Sequence, residues 1–367
     1  MGLSHQMRLR YAEGMARPRA CARQSVTTCR RRMLQAALLL APCIARHAFA
    51  LGSNTNIFSP AATPAKVSYD LSLFVLTITG GIFVTVGSLI FYAAVRFRRR
   101  PDDDGSEPPQ IFGSNQIELS WTIIPVLIVV VMFLATARMI FAIQDAPQPP
   151  SALEVTVIGH QFWWEFRYPA QHITTANELH IPVSDTSTSR PTFMKLTSAD
   201  VIHSFWVPRL SGKIDLLPNR INEMWIDPHT PGLYVGQCAQ FCGVQHAKML
   251  LRVYVDTPEQ FAAWVKQEQQ PGVQDAAVAA GRHEFESQAC MNCHAIAGTP
   301  ARGQFGPDLT HLASRKTIAS GAADNTTENL ERWIDNPDLI KTGSLMPAMH
   351  LTADQVHEIT AYLNTLQ

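Results

Sequence analysis

Twelve residues, Cys238 to Met249, combine side chains that bind soft metal ions. The segment reads Cys-Ala-Gln-Phe-Cys-Gly-Val-Gln-His-Ala-Lys-Met, so two thiols, an imidazole and a thioether lie close together along the chain. Thiolate and thioether are soft ligands and imidazole is intermediate, a set that suits copper or zinc rather than magnesium or calcium. A mononuclear blue-copper site needs only one thiolate. The second Cys therefore suggests two thiolates that bridge two metal ions, each completed by one histidine.

The second histidine must come from elsewhere, because this segment contains only His246. The candidate is His203, in the sequence Asp-Val-Ile-His-Ser-Phe-Trp-Val-Pro. Two other interpretations of the thiols stay open at this point. They are a disulfide between Cys238 and Cys242 and a structural zinc site.

Together, the DVIHSFWVP and CAQFCGVQHAKM segments resemble the binuclear copper A domain of cytochrome c oxidase subunit 2. The resemblance implies six copper ligands: His203, Cys238, Cys242, His246, Met249 and the backbone carbonyl of Gln240. The family usually has Glu at the last of these positions. The change to Gln keeps a carbonyl ligand but puts in question the link of that side chain to a neighbouring magnesium site.

A second constellation, Cys-Met-Asn-Cys-His at 290–294, is the attachment signature of c-type haem. In such a motif Cys290 and Cys293 add to the haem vinyl groups and His294 becomes an iron ligand. The sixth ligand is expected to be a methionine, and Met346 and Met349 both qualify by position. We favour Met346, because Gly-Ser-Leu-Met-Pro resembles the GxxMP pattern of small class I cytochromes c. A zinc site here would need two more ligands that the segment does not obviously supply.

Charge and cysteine content differ between residues 1–50 and the rest of the chain. The 367 residues have a formal net charge of +0, but residues 1–50 carry nine Arg and one Glu, which leaves 21 basic against 29 acidic residues in the remainder. No basic patch survives there to suggest nucleic-acid binding. Three Cys lie in residues 1–50, and every other Cys is a proposed metal ligand or haem attachment point.

Residues 1–50 are predicted to be a signal segment. An Arg-rich run is followed by an apolar core, and Ala48-Phe49-Ala50 offers a cleavage site with small residues. The alternative is an ordered cytoplasmic extension.

Two apolar stretches, at 71–95 and 121–143, are long enough to cross a bilayer. Four Arg in 96–100 favour the cytoplasm, which predicts a hairpin with the remainder of the chain on the opposite side of the membrane.

Glu118 lies three residues before the second apolar stretch, at the end that faces the cytoplasm in the predicted hairpin. The family has a Glu three residues before a Trp-Thr-x-x-Pro run, as this chain does, and there it lies at the mouth of a proton-uptake path in the partner subunit. The alternative is a solvated carboxylate favoured by the dipole at a helix N-terminus.

The remainder divides into two folding units. Short runs in which apolar and polar residues alternate are typical of the strands of a Greek-key β-barrel or sandwich. Such runs lie at 153–158, 161–168, 193–196, 223–226 and 250–255. Phe162 opens an aromatic run at a position where the family usually has Trp. Helical patterns then flank the CxxCH motif and close the chain. The predicted boundaries are 51–145 for the membrane hairpin, 146–266 for a cupredoxin-like domain, 267–277 for a linker and 278–367 for an all-α cytochrome c domain.

This order of units resembles subunit 2 of a caa3-type cytochrome c oxidase. The resemblance implies a multi-pass protein of a bacterial inner membrane, with a binuclear copper A centre and one covalently bound haem c. It implies electron transfer from a cytochrome c-type donor to a catalytic subunit that reduces O2 to water and translocates protons, with subunits 1 and 3 as partners. A membrane-tethered electron carrier and a subunit of a nitric oxide or nitrous oxide reductase system remain as alternatives.

Overall fold

The computed structural model describes residues 55–98, 105, 107, 109, 110, 112–144, 149, 152–184, 191–272 and 275–367. The predicted signal segment at 1–50 lies outside these residues. All contacts below are between described residues.

Two long apolar helices form the N-terminal part of the described chain. Helix α1 spans Thr63–Arg96 and helix α2 spans Asn115–Gln144. None of the residues in the 18-residue windows that make them membrane-span candidates is buried. A core helix of a soluble protein would bury such residues, whereas a helix in lipid need not. Both predicted spans lie inside these helices.

The ends of the hairpin contact the β-sheet domain that follows. At the start of α1, the Thr63 amide and hydroxyl donate to the Asp227 carboxylate, at 2.7 and 2.5 Å. Near the end of α2, the Ile143 carbonyl accepts a 2.6 Å hydrogen bond from the indole of Trp225. These bonds hold the base of the domain against the two helices.

Ten strands form two mixed sheets, which with the helix after β10 we call the β domain. In chain order they are β1 Leu153–His160, β2 Trp163–Tyr168, β3 Ile173–Ala176, β4 Glu178–Pro182, β5 Thr192–Ser198, β6 His203–Trp206, β7 Ile214–Leu216, β8 Asn222–Ile226, β9 Gly232–Cys238 and β10 Leu250–Asp256. One sheet has the order β3-β2-β1-β5-β8 and the other β4-β10-β9-β6-β7. The β1–β5 and β4–β10 pairs are parallel, and the other pairs are antiparallel.

The core of the β domain lies between the two sheets. Strands β5 and β10 bury every second residue, as expected where one face of a sheet packs against another. The largest fully buried side chains of this core include Trp164, Phe166, Tyr168 and Phe205. The five predicted strands are confirmed. The intervening β3, β4, β6, β7 and β9 were not predicted individually.

Helix α3, Pro258–Glu268, packs on the β domain after β10 and begins with a capping box formed by Thr257 and Gln260. Phe261 and Trp264 of this helix pack against the β-domain core. The chain then enters the C-terminal domain, residues 275–367. Gly272, which follows α3, donates to the Ala297 carbonyl at 3.2 Å and so contacts the C-terminal domain.

The C-terminal domain is mainly helical, as predicted. It contains α4 Ala279–Ser287, α5 Cys290–Cys293, the short hairpin β11 Thr317–Ile318 and β12 Ala323–Asp324, α6 Thr327–Asp335 and α7 Ala353–Leu363. Its core joins Phe285 on α4 to Tyr362 on α7, with ring centroids 6.0 Å apart. Thr352 caps α7 through a capping box with Gln355.

Candidate copper and haem sites

The predicted copper ligands meet at one end of the β domain. His203 begins β6 and Cys238 ends β9, and these strands pair through Phe205 and Cys238. Residues 238–249, which we call the copper loop, then run to a 3-10 turn at His246–Lys248 and to Met249, which precedes β10. The loop is held by a 2.9 Å bond from the Cys238 amide to the Met249 carbonyl.

The donor atoms form two thiol–imidazole pairs. Cys238 Sγ lies 3.9 Å from His203 Nδ1, and Cys242 Sγ lies 3.7 Å from His246 Nδ1. The two sulfurs are 3.9 Å apart, far beyond a disulfide bond of about 2.05 Å. Met249 Sδ lies 3.8 Å from Cys242 Sγ. Such spacings match roughly the separation of two ligands on one metal ion with bonds of about 2.0–2.3 Å.

The Gln240 carbonyl points toward the same cluster. Its oxygen lies 3.1 Å from Cys238 Sγ, so the backbone group named by the family resemblance is in reach of the sulfurs. Cys238, Cys242, Met249 and His203 are all buried. The cluster is therefore a nearly dry set of soft donors, which fits copper rather than a hydrated hard cation.

The two thiols shift the pKa of one another in opposite directions. The Cys242 thiol, hydrogen-bonded to Cys238, is the main cause that lowers the pKa of Cys238 to about 3, and the His203 bond and the backbone amides act in the same direction. The same contact raises the pKa of Cys242. Metal ligation requires deprotonated sulfurs, and the lowered pKa of Cys238 favours that form.

Asp200 is a residue of this site that the sequence did not single out. Its Oδ1 lies 2.8 Å from Nε2 of His203, while Nδ1 of the same ring faces Cys238. Asp200 also accepts a 2.6 Å hydrogen bond from the Gln161 amide. A carboxylate on the far nitrogen fixes the tautomer and orientation of a ligating histidine.

The haem attachment residues line a pocket in the C-terminal domain. Cys290 and Cys293 lie on α5, and their thiols are free. The pocket wall is largely apolar, with Phe285, Leu330 and Ile359 among its residues. Burial raises the pKa of the Cys290 thiol. Such a pocket suits a large, flat, apolar group such as a haem.

His294 presents the correct nitrogen to this pocket. Its Nδ1 lies 2.7 Å from the Pro307 carbonyl, which fixes the proton on Nδ1 and leaves Nε2 available as a ligand. Burial lowers the pKa of His294 and so favours the neutral, ligating form. A Cβ at Gly306 would lie 2.5 Å from His294 Cε1, so only glycine allows this close approach.

Met346 and Met349 both line the pocket, so the structure brings both candidate sixth ligands to it. Arg315, which the sequence analysis did not single out, also lines the pocket and is only 8% exposed. Its Nη2 donates to the Asp308 carbonyl at 2.6 Å, but its Nε has no hydrogen-bond partner among the described residues. A haem propionate is the kind of anion that would satisfy this buried donor.

Three family models match successive parts of the chain. The model described as the transmembrane domain of cytochrome c oxidase subunit II matches residues 51–139, and the model of its periplasmic domain matches residues 172–255. The model described as cytochrome c matches residues 278–367. These ranges contain most of the hairpin, the copper loop and the haem attachment motif in turn.

Two curated relatives extend this similarity over most of the chain. Cytochrome c oxidase subunit 2 of Alkalihalophilus pseudofirmus is 32% identical over 323 residues, which cover 86% of this chain and 91% of the relative. The protein of the same name from Bacillus sp. strain PS3 is 32% identical over 332 residues, covering 85% and 91%.

This chain belongs to the cytochrome c oxidase subunit 2 family. Among solved structures, the periplasmic domain of subunit II of cytochrome oxidase from Bradyrhizobium japonicum is 29% identical. It covers 34% of this chain and 97% of that chain, with a TM-score of 0.31.

As a cytochrome c oxidase subunit 2 with a C-terminal cytochrome c domain, the chain is part of a haem-copper oxidase and a membrane protein. The periplasmic domain of this family carries a copper A centre and the cytochrome c domain a haem c. The donor sets described above fit both groups.

Glu118 lies in the exposed first turn of α2. His311 is a buried residue that the sequence analysis did not single out. Its side chain is 3% exposed, and its Nε2 lies 3.1 Å from the Gln270 carbonyl in the connection after α3.

Proposed function

We propose that the copper A ligands are His203, Cys238, Cys242, His246, Met249 and the Gln240 carbonyl. We likewise propose that Cys290 and Cys293 attach the haem c and that His294 and Met346 are its axial ligands. When bound, the two groups supply one-electron carriers, with the haem as the entry point for a cytochrome c-type donor and the copper centre as the exit toward a haem of the partner subunit.

The observation that carries this proposal is the pairing of each thiol with its own imidazole. Cys238 lies beside His203 and Cys242 beside His246, with the two sulfurs 3.9 Å apart between them. A mononuclear site would leave one of these thiols without a role. Two bridging thiolates with one terminal histidine at each end account for all four side chains.

The protein supports electron transfer by holding these side chains still. His203 is fixed by Asp200, and the copper loop is closed by the backbone bond between Cys238 and Met249. His294 is fixed by the Pro307 carbonyl. Rigid, buried ligands change little in position when charge is added or removed, which favours fast electron transfer.

Oxygen reduction requires a partner subunit. Neither α1 nor α2 contains a histidine that could ligate a haem iron or a further copper ion. We propose subunit 1 as the site of oxygen reduction and proton translocation, with subunit 3 as a further component. The Arg cluster at 96–100 orients the hairpin so that the β domain and the C-terminal domain lie on the outer side of the bacterial inner membrane.

The test is to produce the full chain with copper and haem-maturation enzymes and to record optical and paramagnetic resonance spectra. We expect a c-type haem spectrum and a copper signal from one spin shared equally by two nuclei. Cys242→Ser should abolish the shared signal while leaving the haem spectrum unchanged. A mononuclear copper signal in the unaltered protein would contradict the ligand assignment and favour a tethered cytochrome.

A further inference from the structure

The β domain and the C-terminal domain each contribute one buried charged side chain that forms hydrogen bonds with the other domain. Glu178, the first residue of β4, belongs to the β domain and is 4% exposed. Its Oε1 accepts hydrogen bonds from the Lys316 amide at 3.0 Å and from the Thr317 amide and hydroxyl at 2.9 and 2.8 Å. All these donors lie in the C-terminal domain, at the start of β11.

Lys341 makes the reciprocal contact from the C-terminal domain. It is 3% exposed, and its ammonium donates to the Phe162 carbonyl of the β domain at 2.7 Å and to the Ala319 carbonyl of its own domain at 3.1 Å. Separation of the domains would break the bond to the Phe162 carbonyl and expose both groups to water. Hydrogen bonds from a charged donor are stronger than those between neutral groups, so this contact favours the docked arrangement.

Backbone pairing supports this contact. The Leu250 amide, at the start of β10, donates to the Ser320 carbonyl at 3.1 Å. The Ser320 hydroxyl returns a 2.8 Å bond to the Leu250 carbonyl. Directional bonds of this kind define one register between the surfaces, whereas apolar contacts alone would allow the domains to slide.

Lys341 also lies in a segment that connects the two candidate sites. Residues 340–346, which we call the bridging segment, contact the copper loop at one end and carry Met346 at the other. Lys248 of the copper loop donates to the Ile340 carbonyl at 2.7 Å, and the Gln245 side chain donates through Nε2 to the Thr342 carbonyl. A Cβ at Gly343 would lie 2.9 Å from Val244, so the two loops are in direct contact.

The β domain closes one side of the haem pocket. Gln161, Phe162 and Trp163 line the pocket together with Met346 and His294. The Gln161 side chain donates at 2.6 Å to the Cys242 carbonyl in the copper loop. The Phe162 carbonyl, which Lys341 holds, is therefore next to a residue bonded directly to a proposed copper ligand.

We propose that Glu178 and Lys341 lock the C-terminal domain onto the β domain in a single orientation, and that Lys341 is the positioning residue for the path between the two sites. The lock keeps the haem pocket and the copper loop at a fixed separation. It also directs an external donor to the C-terminal domain, because the face of the copper loop toward the bridging segment is already covered. Only this functional consequence rests on the proposed function.

Cleavage of the full chain tests the lock. A protease recognition sequence is inserted after Gly272, and the haem- and copper-loaded protein is cut in detergent. The fragment with the hairpin and the β domain stays in the micelle, so the haem absorbance that co-elutes with it measures retention of the C-terminal domain. We expect the cut wild-type protein to retain that domain.

Lys341→Met and Glu178→Gln each keep the approximate side-chain volume but lose the charge. We expect either change to weaken retention roughly tenfold to a hundredfold, because hydrogen bonds to charged groups are lost in a buried site. Lys266→Met, at an exposed position on α3, is the matched control and should retain the domain like wild type. Release of the wild-type domain, or equal retention by all variants, would overturn the proposal.

A second measurement separates positioning from general stability. In the uncut protein the oxidised haem relaxes the copper spin to an extent that falls steeply with distance. We expect Lys341→Met to broaden the distribution of copper spin relaxation rates, because the distance between haem and copper would vary more. The spectrum of each centre should stay unchanged. An unchanged effect would show that Lys341 does not position the sites. Absence of the copper signal from the wild-type protein would contradict the proposed function. The retention assay does not use that signal, so it would still test whether Glu178 and Lys341 hold the two domains together.

Discussion

Asp200 Oδ1 lies 2.8 Å from Nε2 of His203 and orients the ring so that Nδ1 faces the copper loop. We predict that Asp200→Asn lowers copper affinity about 10- to 100-fold, in line with the loss of such a partner in other metal sites. Chelator competition during copper reconstitution would measure this. Asp215→Asn, at an exposed position of β7, is the control and should leave the affinity unchanged. Equal affinities in both variants would rule out an orienting role for Asp200.

Met346 and Met349 can be distinguished because both line the haem pocket but only one is expected to bind the iron. We predict that Met346→Ala abolishes the sulfur-to-iron charge-transfer absorption of the oxidised haem and lowers its midpoint potential, since a thioether ligand raises that potential. Met349→Ala should keep both properties. The reverse result would assign Met349 as the sixth ligand.

Glu118 is tested in the assembled oxidase. Its exposed position in the first turn of α2 leaves the carboxylate available to a partner subunit. We predict that Glu118→Gln slows turnover and proton uptake, because the neutral amide cannot exchange protons, while the copper and haem spectra stay normal. Glu107→Gln, in the connection between the two helices, serves as the comparison. Turnover of Glu118→Gln equal to wild type would exclude the proton role.

Thr352 stabilises the C-terminal domain by capping α7. Its side chain accepts a hydrogen bond from the Gln355 amide, and the Gln355 side chain bonds back to the Thr352 amide. We predict that Thr352→Ala destabilises the domain by about 1 kcal/mol, the usual effect of losing such a cap. Thermal unfolding followed by haem absorbance would show a lower midpoint, whereas Thr352→Ser should restore most of it.

Glu165 links the stability of the β domain to pH. Burial alone would raise the pKa of this carboxyl, but hydrogen bonds from His160 and Arg167 and the charge of these residues lower it overall. A carboxyl with a pKa below its unfolded value stabilises the fold at higher pH, and this contribution is lost as the pH falls through the folded pKa. We therefore predict that Glu165→Gln reduces the difference in unfolding midpoint between pH 6 and pH 4. The exposed Glu223→Gln should show the same difference as wild type.

Local patterns explain which parts of the fold could be predicted. Strands β5 and β10 alternate buried and partly buried residues, and this period was visible in the sequence. Strand β6 has only four residues, three of them buried in succession, and β9 contains two glycines, so neither shows a clear period. The soft ligands could be proposed from the sequence because metal chemistry restricts residue types and spacing.

Residues whose role depends on tertiary contact could not be found in this way. Asp200, Arg315 and Lys341 are ordinary polar residues in the sequence. Asp200 is only three residues from His203, but which ring nitrogen it contacts depends on how β6 begins. Lys341 contacts Phe162 in the other domain, and Arg315 faces a pocket formed by several segments, so no local pattern encodes either role. Glu178 is equally unremarkable until β4 places it against the amides of β11.

Direct contacts between the β domain and the C-terminal domain hold the haem pocket next to the copper loop. In kinetic terms the encounter between them is intramolecular, so its rate does not depend on the amount of protein. Dilution should leave transfer within the chain unchanged, and so should ionic strength, because no charged partners need to find each other. Salt should act only on the arrival of the external donor, where surface charges are screened over about 10 Å at 0.1 M. The fusion thereby leaves a single diffusive step between the donor and the membrane subunits.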